Sequence, residues 1–121
     1  CEFIPAVNQI EMNPFLAQKT ISEYCSSKNI HITGFCPLAR TEKSKDPAII
    51  DLANECGKTW AQVMIRWSLQ KQITTIPKSV NPQRIRENSD VFDFELNEKQ
   101  MQRLDDLDQG FRLRPDPMNL P

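Results

Sequence analysis

Residues 73–88 read ITTIPKSVNPQRIREN, and the rest of the chain is best taken outward from this stretch. The β-branched run Ile73, Thr74, Thr75, Ile76 predicts a short buried strand, halted by Pro77. Lys78 and Ser79 follow at once, and Asn81-Pro82 opens a helix that carries Arg84, Arg86, Glu87 and Asn88. A cation and a hydroxyl at the carboxyl end of a strand, beside a helix start, suit a phosphate. Free backbone N–H groups, the positive end of the helix dipole and cationic side chains converge there.

Upstream, residues 4–10 (IPAVNQI) predict another short buried strand with polar groups near its end. Asn13-Pro14 marks a turn, and Ala17, Ile21, Tyr24 and Cys25 fall at helical spacing over residues 17–28, with Asn29 as a left-handed cap. Residues 30–35 (IHITGF) alternate as a strand, ended by Cys36-Pro37-Leu38, and residues 40–45 form a polar loop. Asp46-Pro47 starts a helix whose stripe is Ile49, Leu52, Ala53 and Cys56, closed by Gly57. Thr59 and Gln62 make a capping box for a helix from Trp60 to about Lys71, with Trp60 and Trp67 in the core. Its wide apolar face implies more than one neighbour. Leu96 and Met101 staple a last helix capped by Asn97 and Gln100 and running to about Asp108. The Pro-rich tail, residues 111–121, argues against further helix.

The order is therefore β-α-β-α-α-β-α-α. Strands separated by whole helices need crossovers and lie parallel, so the fold class is α/β: a sector of an α/β sheet or barrel. Such a sector leaves both sheet edges open, which together with Cys1 in place of Met predicts a piece of something larger.

The totals agree with one globular domain at most. The chain has 121 residues, 39% hydrophobic and 26% charged, with a net charge of −1. That charge offers nothing to nucleic acid or a membrane surface, and no apolar run approaches the roughly 20 residues needed to span a bilayer. Cys1, Cys25, Cys36 and Cys56 are scattered, without a C-x-x-C pair and beside a single His, which argues against zinc and for reduced thiols in a cytoplasmic protein.

Several segments together resemble the aldo-keto reductases: Val7-Asn8-Gln9-Ile10-Glu11 with Asn13-Pro14, Gly34-Phe35-Cys36-Pro37-Leu38-Ala39, and Ile76-Pro77-Lys78-Ser79-Val80 with Arg84-Ile85 and Glu87-Asn88. The likeness is collinear over nearly the whole chain, and the lysine-serine segment is among the family's signatures. Leu107, Gly110 and Arg114-Pro115-Asp116-Pro117 most resemble the microbial 2,5-diketo-gluconate reductase branch. The resemblance implies a (β/α)8 TIM barrel, of which residues 1–121 are the C-terminal portion with the last three parallel strands. It implies NADPH as cofactor and a small-molecule carbonyl as substrate.

Carried over by position, Gln9 holds the nicotinamide carboxamide from the end of its strand and Phe35 stacks on the ring. Cys36 stands where the family usually has Ser against the pyrophosphate, leaving the N–H of Leu38 to serve. Lys78, Ser79 and Arg84 hold the 2′-phosphate; Glu87 and Asn88 take the adenine edge. On residues alone, Lys78 reads equally as a solvated lysine and Phe35 as core, while Arg86 reads as a charged helix face. Gln9, if buried, needs partners for its amide.

The family's catalytic Asp, Tyr, Lys and His lie before the region matched here. The only Tyr is Tyr24, mid-helix, and the only His is His31, at the wrong end of its strand. No catalytic residue is assigned. The expectation is the cofactor-binding half of a carbonyl reductase. The alternatives are an inactive nucleotide-binding or oligomerising interaction module that self-associates through open edges, and a sensor subunit that binds the cofactor without turnover.

Overall fold

The structure, a computed structural model, describes residues 2–119. Three strands, β1 (Val7–Glu11), β2 (His31–Phe35) and β3 (Thr74–Thr75), form a parallel sheet in the order β1-β2-β3. The helices are α1 (Lys19–Ser27), α2 (Pro47–Cys56), α3 (Trp60–Gln70), α4 (Pro82–Ser89) and α5 (Glu98–Asp105). The element order is the one that hydrophobic periodicity predicts.

Local chemistry sets most helix boundaries as the sequence indicates. Asp46 accepts from the Ala48 N–H at 3.0 Å with Pro47 in the first position, and Gly57 ends α2 at φ 62°. Thr59 and Gln62 exchange both hydrogen bonds of a capping box, as do Asn97 and Gln100. Asn29 takes the left-handed conformation at φ 55°. α1 starts two residues later than expected, because residues 13–18 form a loop in which Asn13 pairs with Leu16 and Gln18 is left-handed. α5 stops at Asp105, and the tail carries one 3₁₀ turn, Pro117–Asn119.

Helices cover one face of the sheet. Ile10, Met12, Ile32 and Ile73 pack with Cys25 and Ile21 of α1. Gly34 sits on that face in the central strand, where an added Cβ would lie 3.3 Å from Met12 Cβ and 3.4 Å from Ile73 Cγ2. The opposite face, carrying Val7, Gln9, His31 and Thr74, is exposed. This corrects the expected burial of the strands. β1 begins at Val7 rather than residue 4, with Ile4 66% exposed, and β3 shrinks to two residues, with Ile76 45% exposed. A one-sided helix layer cannot bury both faces of the strands.

The larger core lies between helices. Ile49 and Leu52 of α2, Val63, Met64 and Trp67 of α3, and Leu104 of α5 are fully buried together with Phe15. Fully burying each such side chain contributes about 1.5–3 kcal/mol. Trp67 also donates its indole N–H to Asp105 at 2.7 Å. Trp60 is only half-buried, at the margin of this cluster. α3 touches α2, β3 and α4, the several neighbours its apolar width implies. Cys25, Cys36 and Cys56 are free thiols, and Cys1 lies outside the described residues. Among the described residues no helix is long and apolar enough to cross a membrane.

Candidate functional site

Parallel strands bring all their carboxyl ends to one rim, and Phe35, Cys36, Leu38, Lys78 and Ser79 follow or end strands there. Glu11 and Phe35, the last residues of β1 and β2, are register partners, and Gln9 pairs with Thr33 two rows below. Gln9 and Phe35 therefore share the uncovered face. Gln9 is the third of five residues in its strand, not its end, and it is exposed. Its amide is open to a ligand and needs no buried partners. Phe35 is half-buried on that face.

The chain leaves β2 through a left-handed turn. Cys36, Ala39, Arg40 and Thr41 have φ of 51°, 44°, 49° and 68°. These are strained values for residues with a Cβ. The Cys36 carbonyl accepts from Ala39 N at 3.0 Å and from the side-chain amide of the fully buried Asn13 at 3.4 Å. The Leu38 N–H has no partner among the described residues. It remains available to an acceptor.

Past β3, Lys78 and Arg84 are exposed, and neither makes an ion pair among the described residues. Ser79 Oγ accepts from the Asn81 N–H at 3.2 Å. The start of α4 differs from the sequence expectation. Asn81 Oδ1 accepts from the N–H groups of Gln83 and Arg84 at 2.9 and 3.2 Å, so these donors are capped. A phosphate here would be met mainly by side chains. Glu87 and Asn88 lie three and four residues beyond Arg84, on the same side of the helix. Glu87 accepts from Gln83 at 2.9 Å. Asn88 lines a cleft of about 520 Å³ with Pro77, Ile85 and Phe92.

Tyr24 is 61% exposed on α1, and His31 opens β2 with Nε2 2.8 Å from Thr74 Oγ1. The sequence reading missed a second set of rim residues. Glu11 is buried and holds the tail, and Lys43 lies between the Phe15 and Phe111 rings. A Glu ending an apolar strand was the available signal for the first; the second had none.

Three parallel strands and their crossover helices form a partial (β/α)8 barrel of α/β class. The sequence matches the Aldo/keto reductase family over residues 2–109, and the chain belongs to that family. It is 42% identical over 118 residues to the uncharacterized oxidoreductase YtbE of Bacillus subtilis, covering 98% of this chain and 42% of that protein. It is 39% identical over 119 residues to the glyoxal reductase of the same organism, covering 98% and 43%. Among solved structures, a mutant of Gox0644 in complex with NADPH superposes with a TM-score of 0.94 at 38% identity, covering 99% of this chain and 45% of that one. The chain spans less than half the length of these relatives.

Proposed function

We propose that this chain is the NADPH-gripping portion of an aldo-keto reductase that reduces aldehydes and ketones, its substrate being a small carbonyl compound. The observation that carries the reading is the pair Lys78 and Arg84. Both are exposed and make no ion pair among the described residues, Lys78 past the end of β3 and Arg84 in the first turn of α4, so a phosphate there would be met by their side chains.

In this reading Lys78, Arg84 and the Ser79 hydroxyl hold the 2′-phosphate, which distinguishes NADPH from NADH. Glu87 and Asn88 take the adenine amino edge. The Leu38 N–H donates to the pyrophosphate beside Cys36, a thiol replacing the usual hydroxyl. Phe35 stacks against the nicotinamide while Gln9, on the same face, bonds its carboxamide. The cofactor supplies hydride to the carbonyl carbon. The proton for the carbonyl oxygen comes from an acid that this chain does not contain, its one Tyr being on α1. The same reading takes the tail, by its likeness to the microbial 2,5-diketo-gluconate reductases, as a mark of that branch, working in the cytoplasm.

Titration of the chain with NADPH and NADH, followed by nicotinamide fluorescence, tests this. Tighter binding of NADPH is expected; equal affinity, or none, refutes it. Carbonyl-dependent NADPH oxidation by the chain alone would refute the absence of an acid.

A second reading, an interaction module that associates through its own sheet, is favoured by one feature. The edge strands β1 and β3 and the exposed Val7, Ile76, Val80, Ile85 and Phe92 leave apolar surface and backbone unpaired. Size-exclusion chromatography separates the two, since a compact monomer counts against self-association.

A further inference from the structure

Glu11 is a buried carboxylate that the proposed cofactor contacts do not use. It is 2% exposed and makes no ion pair among the described residues. Its two oxygens instead accept backbone N–H groups of the tail, Leu113 at 2.8 Å and Arg114 at 3.0 Å. A desolvated carboxylate is tolerated when donors of this kind satisfy it.

The same tail is stitched to two loops at the rim. The Phe111 N–H donates to the Phe15 carbonyl at 2.9 Å, and Arg112 donates to Gln18, which donates to the Glu11 carbonyl. Lys43 lies 5.1 Å from the Phe15 ring centre and 4.4 Å from that of Phe111. Asn13 reaches the Cys36 carbonyl. Tail, β1 loop and β2 loop thus form one connected cluster next to Phe35, the register partner of Glu11. The β2 loop has four non-glycine residues at positive φ, a conformation that persists only when surrounding contacts hold it.

We infer that Glu11 is a positioning residue: by fastening the tail it holds the loop of residues 36–43 in its left-handed form, so that tail docking and nucleotide binding are linked. The inference rests on the cofactor reading above for its second half only. By reciprocity, a nucleotide that needs the ordered loop tightens the tail, and a loosened tail weakens that nucleotide. A ligand that reaches only Lys78, Ser79 and Arg84 is indifferent to both.

The test compares the full chain with Glu11→Gln, which keeps the size but turns an NH₂ toward one backbone N–H, and with Glu11→Asp, which keeps the charge. Amide hydrogen exchange reads residues 36–43 and 111–114. Binding of NADPH and of adenosine 2′-monophosphate is measured in parallel. In Glu11→Gln, exchange is expected to accelerate in both segments together. The NADPH Kd rises about tenfold, the 2′-monophosphate Kd changes less than about twofold, and Glu11→Asp recovers part of the loss. In the unmodified chain NADPH, but not the monophosphate, slows tryptic cleavage after Arg112.

Faster exchange of the tail with no change at residues 36–43 overturns the inference, as does an equal loss for both nucleotides, the mark of a merely structural role. If the unmodified chain binds no NADPH, the cofactor reading fails and the linkage with it; the coupling of tail to loop is then decided by exchange alone. Should Glu11→Gln fail to fold, Lys43→Met removes the bridge between Phe15 and Phe111 without touching the buried carboxylate. It must release both segments together, and release of one alone refutes the coupling.

Discussion

Replacing Arg84 with Met removes a guanidinium that no carboxylate in the described chain holds, while leaving its backbone N–H on the Asn81 cap at 3.2 Å. The fold should barely notice: an exposed side chain with no ion pair changes stability by no more than about 0.5 kcal/mol. Binding is another matter. A hydrogen bond to a charged group contributes about 1.5–3 kcal/mol, and the exposed position puts this contact at the lower end. The NADPH Kd is expected to rise about tenfold. NADH, which lacks the 2′-phosphate, should bind as before, so the preference collapses by the same factor. Lys78→Met should act in the same sense. Because the contact is solvent-exposed, raising the salt to about 1 M, where the Debye length is near 3 Å, should shrink the difference to a few-fold. Nicotinamide fluorescence titrations of both nucleotides at two salt concentrations, with urea unfolding as the control, make the measurement. Parallel losses of NADPH and NADH, or no loss of either, would refute the placement of the phosphate.

Leu52→Ala, in the fully buried cluster between α2 and α3, should cost about 2–5 kcal/mol in urea unfolding followed by circular dichroism. Thr59→Ala removes the side-chain half of the α3 capping box and should cost about 1 kcal/mol by the same assay, with Thr59→Ser near neutral. Lys58 and Asp93 form a hydrogen-bonded ion pair, which raises the lysine and lowers the aspartate from their ordinary values, each chiefly through that bond. The aspartate's contribution is present above its unfolded pKa and disappears as pH falls through the lower folded one. The lysine's is present below its unfolded pKa and disappears as pH rises through the higher folded one. The destabilisation of Lys58→Met should therefore be flat from about pH 5 to about pH 9 and fade only outside that window, in thermal melts across pH. The Cys56 thiol is pushed up by burial, with Glu55 adding to it, so its labelling by a maleimide near neutral pH should be slower than that of a free thiol in solution, as read by peptide mass mapping.

The chain's order of strands and helices was legible because each signal is local. Asp46-Pro47, the Thr59 and Asn97 boxes and Gly57 act within one helical turn, and the structure shows each doing so. The segment from Lys78 to Asn88 was legible for the same reason, as a strand end meeting a helix start. The sequence by itself determined that Lys78 follows the carboxyl end of a parallel strand and that Arg84 falls in the first turn of the next helix. It did not determine what surrounds them. Whether the helix N–H groups of α4 were free depended on where Asn81 Oδ1 pointed, and it caps them. Gln9 turned out open rather than buried because the helix layer covers only the other face of β1. Glu11 meets Leu113 and Arg114 across roughly a hundred residues of chain, a pairing that no periodicity encodes. Local spacing decides conformation; contacts between distant segments are decided by packing, and the clasp at the rim exists only there.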